Sequence, residues 1–325
     1  MSGRGPAQTT AKNGQSKPLT ITEASNSILG GSLSPATLLE TFLDRIDAID
    51  DQIHSFIHVD AEGARKAAAE ATDEIAAGHW RGPLHGVPFA VKDNYDATGL
   101  PATANSKLRI DNVPDSDAEL VRRLKAAGAV LIGKLATWEY GTGNGGEYYD
   151  LPFPTARNPW DTERFPGGSS TGAGVSVAAG TTMFALGSDT TGSVRLPAAG
   201  TGTVGIIPTP GRLSLDGILP NCYSLDNPGP FTWTVEDSAI VLEAIADRTA
   251  WDPRGEFGFR RSIGQPVAGM RVAVVTDTGP GMADPDPPHE INDGPSPSHC
   301  IIYTPGTNPL GDGHINGPES QQHKY

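Results

Sequence analysis

The segment PFAVKD at residues 88–93 is a short apolar run that ends in two charged residues, a pattern that predicts a buried strand. A helix is predicted next, over Asp117–Ala127, because Leu120 and Leu124 lie on one face. The continuous apolar run AVLIG at residues 129–133 predicts a second buried strand. Strand, helix and strand in this order favour an α/β fold with a mixed, mostly parallel central sheet flanked by helices.

Segments on both sides extend this alternation of helices and strands. Ser34 followed by Pro35 is typical of a helix start, with Ser34 as the N-cap and Pro35 at the first helical position. Further helices are predicted at Ala61–Ala77, Ala173–Ala179 and Thr234–Ala246, and further strands at Ala185–Gly187 and Arg271–Val275.

Composition and charge exclude several classes of protein. The 325 residues are 37% hydrophobic, which is enough to bury a sizeable core, and the formal net charge is −14. A chain this acidic repels phosphate backbones, so direct binding of nucleic acid is not expected. There is neither a signal peptide nor an apolar run long enough to span a membrane, and the two cysteines, Cys222 and Cys300, form no disulfide framework. These features predict a cytoplasmic protein that does not contact a membrane.

Changes in composition divide the chain into three parts. Residues 1–18 are rich in small and polar residues and are predicted to be a disordered arm. Residues 19–277 carry the alternating helices and strands and form the predicted domain. Residues 278–325 are rich in Pro and Gly, show no helix or strand period, and are predicted to be a disordered tail.

Two segments rich in Gly, Ser and Thr contain a candidate nucleophile. PGGSSTGAG at residues 166–174 is a loop whose backbone amides can face a ligand, although such loops also bind phosphate or simply turn. In GSDTTGSVRLP at residues 187–197, an apolar stretch leads into Asp189, and small, flexible residues follow up to Ser193. The amides of residues 190–193 can point to one spot, as an oxyanion hole requires, but a surface Ser/Thr turn has the same composition.

A nucleophilic serine needs a base, and the sequence offers two kinds. None of the histidines before the tail is well placed, although His85 in the turn HGVP stays open as a candidate. Lys92 ends the apolar run PFAV, where burial would lower its pKa and make it a base. A lysine at a strand end can also extend to water, so the residue type alone leaves both alternatives open.

Three longer blocks of this sequence resemble the motifs of a known protein family. HGVPFAVKDNYDATGLPAT at residues 85–103, PGGSSTGAGVSVAAG at 166–180 and ALGSDTTGSVRLPAA at 185–199 resemble, in this order, the motif blocks of the amidase signature family. The later segment SLDNPGPFTWTVEDSAIVLEAIA at 224–246 is also similar to that family. The resemblance implies that Ser193 is the nucleophile, that Ser169, 24 residues earlier, is the middle serine with a cis peptide bond, and that Lys92 is the base.

The resemblance implies roles for further positions. It places the oxyanion hole at Thr190, Thr191 and Gly192, where the family usually has more glycine, and supporting roles at Ser170, Asp189 and Arg195. It also suggests a substrate pocket, whose aromatic and small side chains would suit an aryl or alkyl acyl group, although ordinary core packing would place them equally well. These pocket residues are Tyr140, Gly141, Thr142, Gly143, Cys222 and Tyr223.

The function that follows is hydrolysis of carboxylic amides, and of related esters, anilides or carbamates, through an acyl-enzyme on Ser193. The chemistry needs neither a metal nor an organic cofactor. The expected partners are a small-molecule amide and, in a homodimer, a second copy of the chain, with no direct contact to nucleic acid or membrane.

Departures from the family pattern leave two alternatives. Family members continue far beyond the strand at RVAVV, whereas this chain turns into the Pro-rich tail, and Ile206-Ile207 replaces a usual lysine. The chain is therefore either an active amidase or a truncated, inactive relative with exposed apolar surface. A third alternative is the amidase subunit of a tRNA-dependent amidotransferase, in which partner subunits bind the tRNA.

Overall fold

A computed structural model of the chain describes residues 18–142, 150–247 and 258–266, and the backbone of residues 272–274 and 301–303. The chain divides into two compact units, residues 1–263 and residues 264–325. The predicted arm before Pro18 lies outside the described residues, as does most of the predicted tail, and the domain boundaries remain predictions.

A mixed sheet of six strands forms the centre of the first unit, as the sequence predicts. The strand order is β1-β3-β2-β4-β6-β5. The three central strands, β3, β2 and β4, run parallel to one another, and the outer pairings are antiparallel. The strands are β1 (Phe56–Val59), β2 (Pro88–Lys92), β3 (Val130–Leu135), β4 (Phe184–Asp189), β5 (Val204–Gly205) and β6 (Asn227–Thr232).

Helices flank this sheet and begin at the capping residues that their sequences provide. Ser34 caps the second helix by accepting a hydrogen bond from the Thr37 amide, and Thr234 caps the seventh by accepting one from Asp237. The helices are α1 (Ile21–Leu29), α2 (Pro35–Ile53), α3 (Ala61–Ala76), α4 (Glu119–Ala126), α5 (Thr171–Ala179), α6 (Arg195–Thr201), α7 (Val235–Ile245) and α8 (Phe259–Ser262). Among the described residues, no helix combines the length and the apolar character needed to cross a bilayer.

The core explains why α5 is built from small residues. Phe89 on β2 stacks on Phe184 of β4 with ring centroids 5.4 Å apart, and both side chains are fully buried. On α5, a side-chain carbon added to Gly172 would lie 2.3 Å from the Ser55 carbonyl oxygen and 2.5 Å from the Ala136 nitrogen. The helix therefore approaches the neighbouring backbone more closely than any larger residue would allow.

Several elements lie outside the sequence-based prediction. Helices α1, α6 and α8 and strands β1, β5 and β6 were not predicted, and β6 contains two prolines, which argue against a strand. In the second unit, β7 (Val272–Val274) confirms the predicted strand at RVAVV. It pairs antiparallel with β8 (Ile301–Tyr303), a strand that the prediction of a tail without regular structure did not contain.

Candidate active site

Lys92 is the last residue of β2, and its side chain is fully buried at the carboxyl end of the parallel strands. Its Nζ donates to Ser169 Oγ at 2.9 Å, to Ser188 Oγ at 3.0 Å and to the Ser188 carbonyl oxygen at 3.4 Å. Burial lowers the pKa of Lys92 to about 7, and the nearby carboxylates Asp189 and Asp226 offset only part of this effect. Near neutral pH the amine is therefore present in both its charged and its neutral form.

The three acceptors around Lys92 suit a neutral amine that acts as a base. A neutral amine keeps two N–H groups and one lone pair. If the two N–H groups donate to the hydroxyl and carbonyl oxygens of Ser188, the lone pair faces Ser169 Oγ. In this arrangement Lys92 can accept the hydroxyl proton of Ser169.

Ser169 lies in the loop that enters α5, and the peptide bond between Gly168 and Ser169 is cis. The side chain is almost fully buried, at 1% exposure. Its carbonyl oxygen accepts from the Trp138 amide at 3.2 Å, and the Trp138 ring lies where any side chain on Gly168 would have to be. Contacts on both sides therefore fix the position of Ser169 beside the lysine.

Ser193 lies in the turn between β4 and α6, which Asp189 organises. The two carboxylate oxygens of Asp189 accept from the amides of Gly192 at 2.8 Å and Val194 at 2.9 Å, and from the Arg195 side chain at 2.9 and 3.1 Å. Burial raises the pKa of Asp189, but the hydrogen bonds from Arg195 and the two amides outweigh this effect and hold it below its usual value. The charged carboxylate of Asp189 thus stabilises the turn by binding its backbone amides.

Ser170 connects the loop of Ser169 to the strand and turn that lead to Ser193. Its amide donates to the Ser193 carbonyl oxygen at 3.3 Å, and its hydroxyl donates to the Ser188 carbonyl oxygen at 3.1 Å. These contacts bring together the two Gly- and Ser-rich segments that the sequence singles out. The supporting roles of Ser170, Asp189 and Arg195 stay proposals, and these are the contacts that favour them.

The backbone amides of the turn predicted to form the oxyanion hole differ in their hydrogen bonding. The Gly192 amide is occupied by Asp189, so it is not available to a substrate oxygen. In the described part of the chain, no hydrogen bond is made by the amides of Thr190, Thr191 or Ser193. The hydroxyl of Thr190 donates to Asp226 at 2.6 Å, which fixes one side of this turn. The amides available for an oxyanion are therefore those of residues 190, 191 and 193.

The predicted substrate-pocket residues are only partly brought together. Tyr140 and Gly141 line a narrow pocket beside Ser188, and a side-chain carbon on Gly141 would lie 3.6 Å from Ser169 Oγ and 3.7 Å from Lys92 Nζ. Thr142 follows them and is exposed, and Gly143 lies outside the described residues.

Cys222 and Tyr223 do not line this pocket, although their neighbours Asn221 and Asp226 do. Asp226 accepts hydrogen bonds from the amides of Asn221 and Cys222 and so bends the segment into a turn. The Tyr223 side chain is 84% exposed as a result. The pocket is instead lined by Asn94, Asn221 and Asp226 and by an aliphatic wall of Leu215, Ile218 and Leu219.

His85, the alternative base, is not near the serines. It precedes β2, whereas Lys92 ends that strand, so the two residues lie at opposite ends of the sheet. The His85 ring is buried with Nε2 3.1 Å from Glu74, and burial lowers its pKa. This leaves the lysine as the base that the geometry favours.

Sequence reasoning missed several residues that surround Lys92. Ser188 provides two of its three acceptors, and Asn94 donates to the Ser188 hydroxyl at 3.1 Å. Asp93, next in sequence, forms a fully buried ion pair with Lys134 at 3.2 Å. Ser188 is part of the same motif block as Ser193, but nothing in its residue type separates it from an ordinary strand serine. Among the described residues, no group of three or more His, Cys, Asp or Glu side chains is arranged to hold a metal ion.

Comparison with known proteins identifies the class to which this fold and site belong. The family model described as Amidase matches residues 37–292. The chain therefore belongs to the amidase signature family, as the resemblance of the three motif blocks predicts.

Individual relatives show which members of the family this chain resembles. The A-type subunit of the glutamyl-tRNA(Gln) amidotransferase of Salinispora tropica is 42% identical over 255 residues, which are 78% of this chain and 51% of the relative. The corresponding subunit from Moorella thermoacetica is 43% identical over 260 residues, covering 79% of this chain and 53% of the relative. The solved structure of the peptide amidase from Stenotrophomonas maltophilia matches with a TM-score of 0.67 and 36% identity over 76% of this chain and 51% of that one. The chain thus spans about half the length of the proteins that it matches.

The relatives correct the predicted partners. The partners expected from the sequence were a small-molecule amide and, in a homodimer, a second copy of the chain, with no direct contact to nucleic acid or membrane. Relatives that match over more than three quarters of this chain are, by name, subunits of an amidotransferase for a charged tRNA. The expectation was wrong because it rested on net charge, which describes one chain and not the assembly that a chain can join.

Proposed function

We propose that this chain cleaves a carboxylic amide through an acyl-enzyme on Ser193, and that it does so as the amidase component of an amidotransferase. The observation that carries the first part is the buried Lys92 Nζ, 2.9 Å from Ser169 Oγ, with a pKa of about 7. The second part is supported by the relatives that are named as subunits of such an enzyme. The cytoplasmic location expected from the sequence belongs to this proposal.

In the proposed acylation, protons pass along the three side chains. Neutral Lys92 accepts the proton of Ser169 while Ser169 accepts the proton of Ser193, and Ser193 Oγ forms a bond to the carbonyl carbon of the amide. The negative charge that develops on the carbonyl oxygen is stabilised by the free amides of the turn at residues 190, 191 and 193. The carbon–nitrogen bond then breaks as Ser169 gives a proton to the leaving nitrogen, and Lys92 returns a proton to Ser169.

Deacylation uses the same relay, with water in the place of Ser193. Water attacks the ester carbon on Ser193, and its proton passes through Ser169 to Lys92. The bond between Ser193 Oγ and the carbonyl carbon breaks while Lys92 returns a proton through Ser169 to Ser193, and a carboxylic acid leaves. The net reaction consumes one water and one amide and releases one acid and one amine. With a primary carboxamide the amine is ammonia, which is the nitrogen that an amidotransferase passes on.

A free-standing amidase is a second candidate. The likeness to the peptide amidase of S. maltophilia favours it, because that protein is named as a peptide amidase. Both candidates need the same acyl-enzyme and differ in what the released nitrogen does. Whether that nitrogen reaches an acceptor separates the two.

Covalent labelling tests the shared chemistry without assuming a substrate. A fluorophosphonate should label the chain on Ser193, and Ser193→Ala should abolish the label because its oxygen is the attacking atom. The labelling rate should rise with pH through about 7, because only the neutral amine of Lys92 can accept a proton. Lys92→Ala should lose this rise together with the activity.

Two results would contradict the proposal. One is a label that persists in Ser193→Ala, and the other is a labelling rate in Lys92→Ala that equals that of the unmodified chain. Ser224→Ala, at an exposed serine in the turn after Tyr223, is the matched control and should label normally.

A further inference from the structure

Asp93 is a fully buried carboxylate that the proposed reaction does not use. It follows Lys92 directly, and its Oδ1 lies 3.2 Å from Lys134 Nζ. Its Oδ2 accepts hydrogen bonds from the amide and hydroxyl of Thr103 and from the amide of Asn105 at 3.4 Å. Its own carbonyl oxygen accepts from the amide of Ala104 at 3.2 Å. Asp93, directly after β2, thus binds all three residues of the turn at 103–105.

This turn has a conformation that it would not adopt unaided. Ala104 and Asn105 are consecutive non-glycine residues with φ of 50° and 52°, in the left-handed region. Asn105 is fully buried, and its side-chain amide donates to the Thr137 carbonyl oxygen at 2.9 Å. The bonds to Asp93 on one side and Thr137 on the other offset the unfavourable backbone angles.

The turn at residues 103–105 holds Tyr140 and Gly141, the segment that lies over Lys92. The Ala104 carbonyl oxygen accepts from the Tyr140 amide at 3.0 Å, and Tyr140 is itself left-handed with φ of 51°. Gly141 follows, and its α-carbon faces both Lys92 Nζ and Ser169 Oγ, since an added side-chain carbon would contact both. A continuous series of hydrogen bonds therefore leads from Asp93 to Tyr140 and Gly141, which form the cover of Lys92.

We propose that Asp93, neutralised by Lys134, is a positioning residue that keeps Tyr140 and Gly141 over Lys92 and so excludes water from the amine. The inference rests on the proposed function, because it matters only if neutral Lys92 is the base. Asp93 acts through the turn at residues 103–105 and touches neither the substrate nor Ser193.

The charges around Lys92 make water exclusion the decisive factor. Asp189 at the end of β4 and Asp226 before β6 both favour the charged amine, and burial opposes them. The ion pair of Asp93 and Lys134 carries no net charge, and Tyr95 stays neutral because burial raises its pKa. Any loosening of the cover admits water, which stabilises the charged form of Lys92 and raises its pKa towards the ordinary value.

The test removes the pair as a unit, so that no unpaired buried charge remains. In the full chain, Asp93→Ala combined with Lys134→Met should move the acidic limb of the pH profile for fluorophosphonate labelling upwards by about one pH unit, which is about a tenfold loss of rate at pH 6. At pH 9.5 the rate should return to within about threefold of the unmodified chain, because Lys92 is then neutral in both proteins.

A matched control exists at the other end of the segment that connects β2 to α4. Asp117 also pairs with a lysine, Lys125, and also accepts a backbone amide, that of Thr98 at 2.8 Å. Asp117→Ala combined with Lys125→Met should leave the acidic limb in place. If thermal unfolding shows that the first double variant does not fold, Thr103→Val removes only the hydroxyl bonds of the turn and should move the limb in the same direction by a smaller amount.

The outcomes separate this inference from the proposed function. Loss of labelling in Ser193→Ala, with an acidic limb in the Asp93 variant that stays where it is in the unmodified chain, overturns the positioning role alone. A loss of rate that is equal at pH 6 and at pH 9.5 also overturns it, because a general loss of structure would not be rescued by pH. Labelling that is independent of Ser193 and Lys92 overturns the proposed function instead.

Discussion

Lys92 is the residue at which function and stability oppose each other most directly. In the unfolded chain its amine has an ordinary pKa, near 10.5, whereas in the folded protein burial lowers the pKa to about 7. Between these two values the unfolded chain binds more protons than the folded one. Stability therefore rises with pH over this window and is reduced below it. This loss of stability is the consequence of holding a neutral amine beside Ser169.

Lys92→Met tests this opposition through stability alone. The substitution keeps an unbranched side chain of similar size and removes the titrating group, so it should abolish labelling and stabilise the protein more at low pH than at high pH. The change in the free energy of unfolding should be more favourable at pH 6 than at pH 9 by about 2 to 3 kcal/mol. Chemical denaturation at both pH values measures the difference.

The pH difference is more informative than either value by itself. Loss of the bonds to Ser169 and Ser188 affects both pH values equally, so it cancels. A matched control is Lys66→Met, on the exposed side of α3, which should show no such difference. Equal effects of Lys92→Met at pH 6 and pH 9 would mean that the amine is hydrated in the folded protein.

At the scale of elements, the ends of β2 and β4 carry the residues of the proposed reaction, and the turn after β4 depends on one carboxylate. Asp189→Asn removes the charge that binds the amides of Gly192 and Val194 and the side chain of Arg195. The expected result is a loss of about 2 to 4 kcal/mol in stability and at least about a tenfold loss in the labelling rate, because the turn also carries Ser193.

The partner of Asp189 provides the control for that prediction. Arg195 is 47% exposed, so its pairing with Asp189 is screened by solvent. Arg195→Met leaves both amide bonds in place and should reduce stability by about 1 kcal/mol or less. Thermal and chemical unfolding of the two variants, together with labelling, make the comparison. Equal effects would show that the guanidinium, and not the amides, holds the turn.

The elements that sequence could predict are those whose signal is local. The buried strands β2 and β3 are continuous apolar runs, and α2 begins at a Ser-Pro pair, so each is visible within its own residues. By contrast, β6 has the sequence NPGPFT, and its two prolines hide a strand whose existence depends on pairing with β4 and β5. Tertiary contacts decide such a strand, and no local pattern shows them.

The same distinction holds for the candidate site. Lys92, Ser169 and Ser193 lie in motif blocks and could be predicted as a set, and the structure brings Lys92 and Ser169 into contact. Ser188 and Asp93 are ordinary residue types in those same blocks, and only the fold shows that Ser188 contacts the amine and that Asp93 binds the turn at residues 103–105. Tyr223 was assigned to the pocket, but the turn that Asp226 holds leaves it exposed.

At the scale of the whole molecule, the chain spans about half the length of the relatives that it matches. The described residues nevertheless contain the buried lysine, both serines and the turn with its free amides. These are the groups that acyl-enzyme chemistry needs. Transfer of the released nitrogen needs more, because an acceptor must bind close by, and this requirement distinguishes the two candidate functions.

An isotope experiment tests that requirement on the full chain. With partner subunits, glutamyl-tRNA and a nucleoside triphosphate to activate its side-chain carboxylate, ¹⁵N-amide glutamine should give labelled glutaminyl-tRNA, and Ser193→Ala should abolish the transfer. Added ammonium chloride should restore transfer in Ser193→Ala, because it replaces the product of amide hydrolysis without needing the nucleophile. Hydrolysis of a peptide amide by the chain alone, without transfer, would instead support the free-standing amidase. If neither reaction occurs while Ser193 still reacts with a fluorophosphonate, the chain forms the acyl-enzyme site but does not carry the whole activity of its relatives.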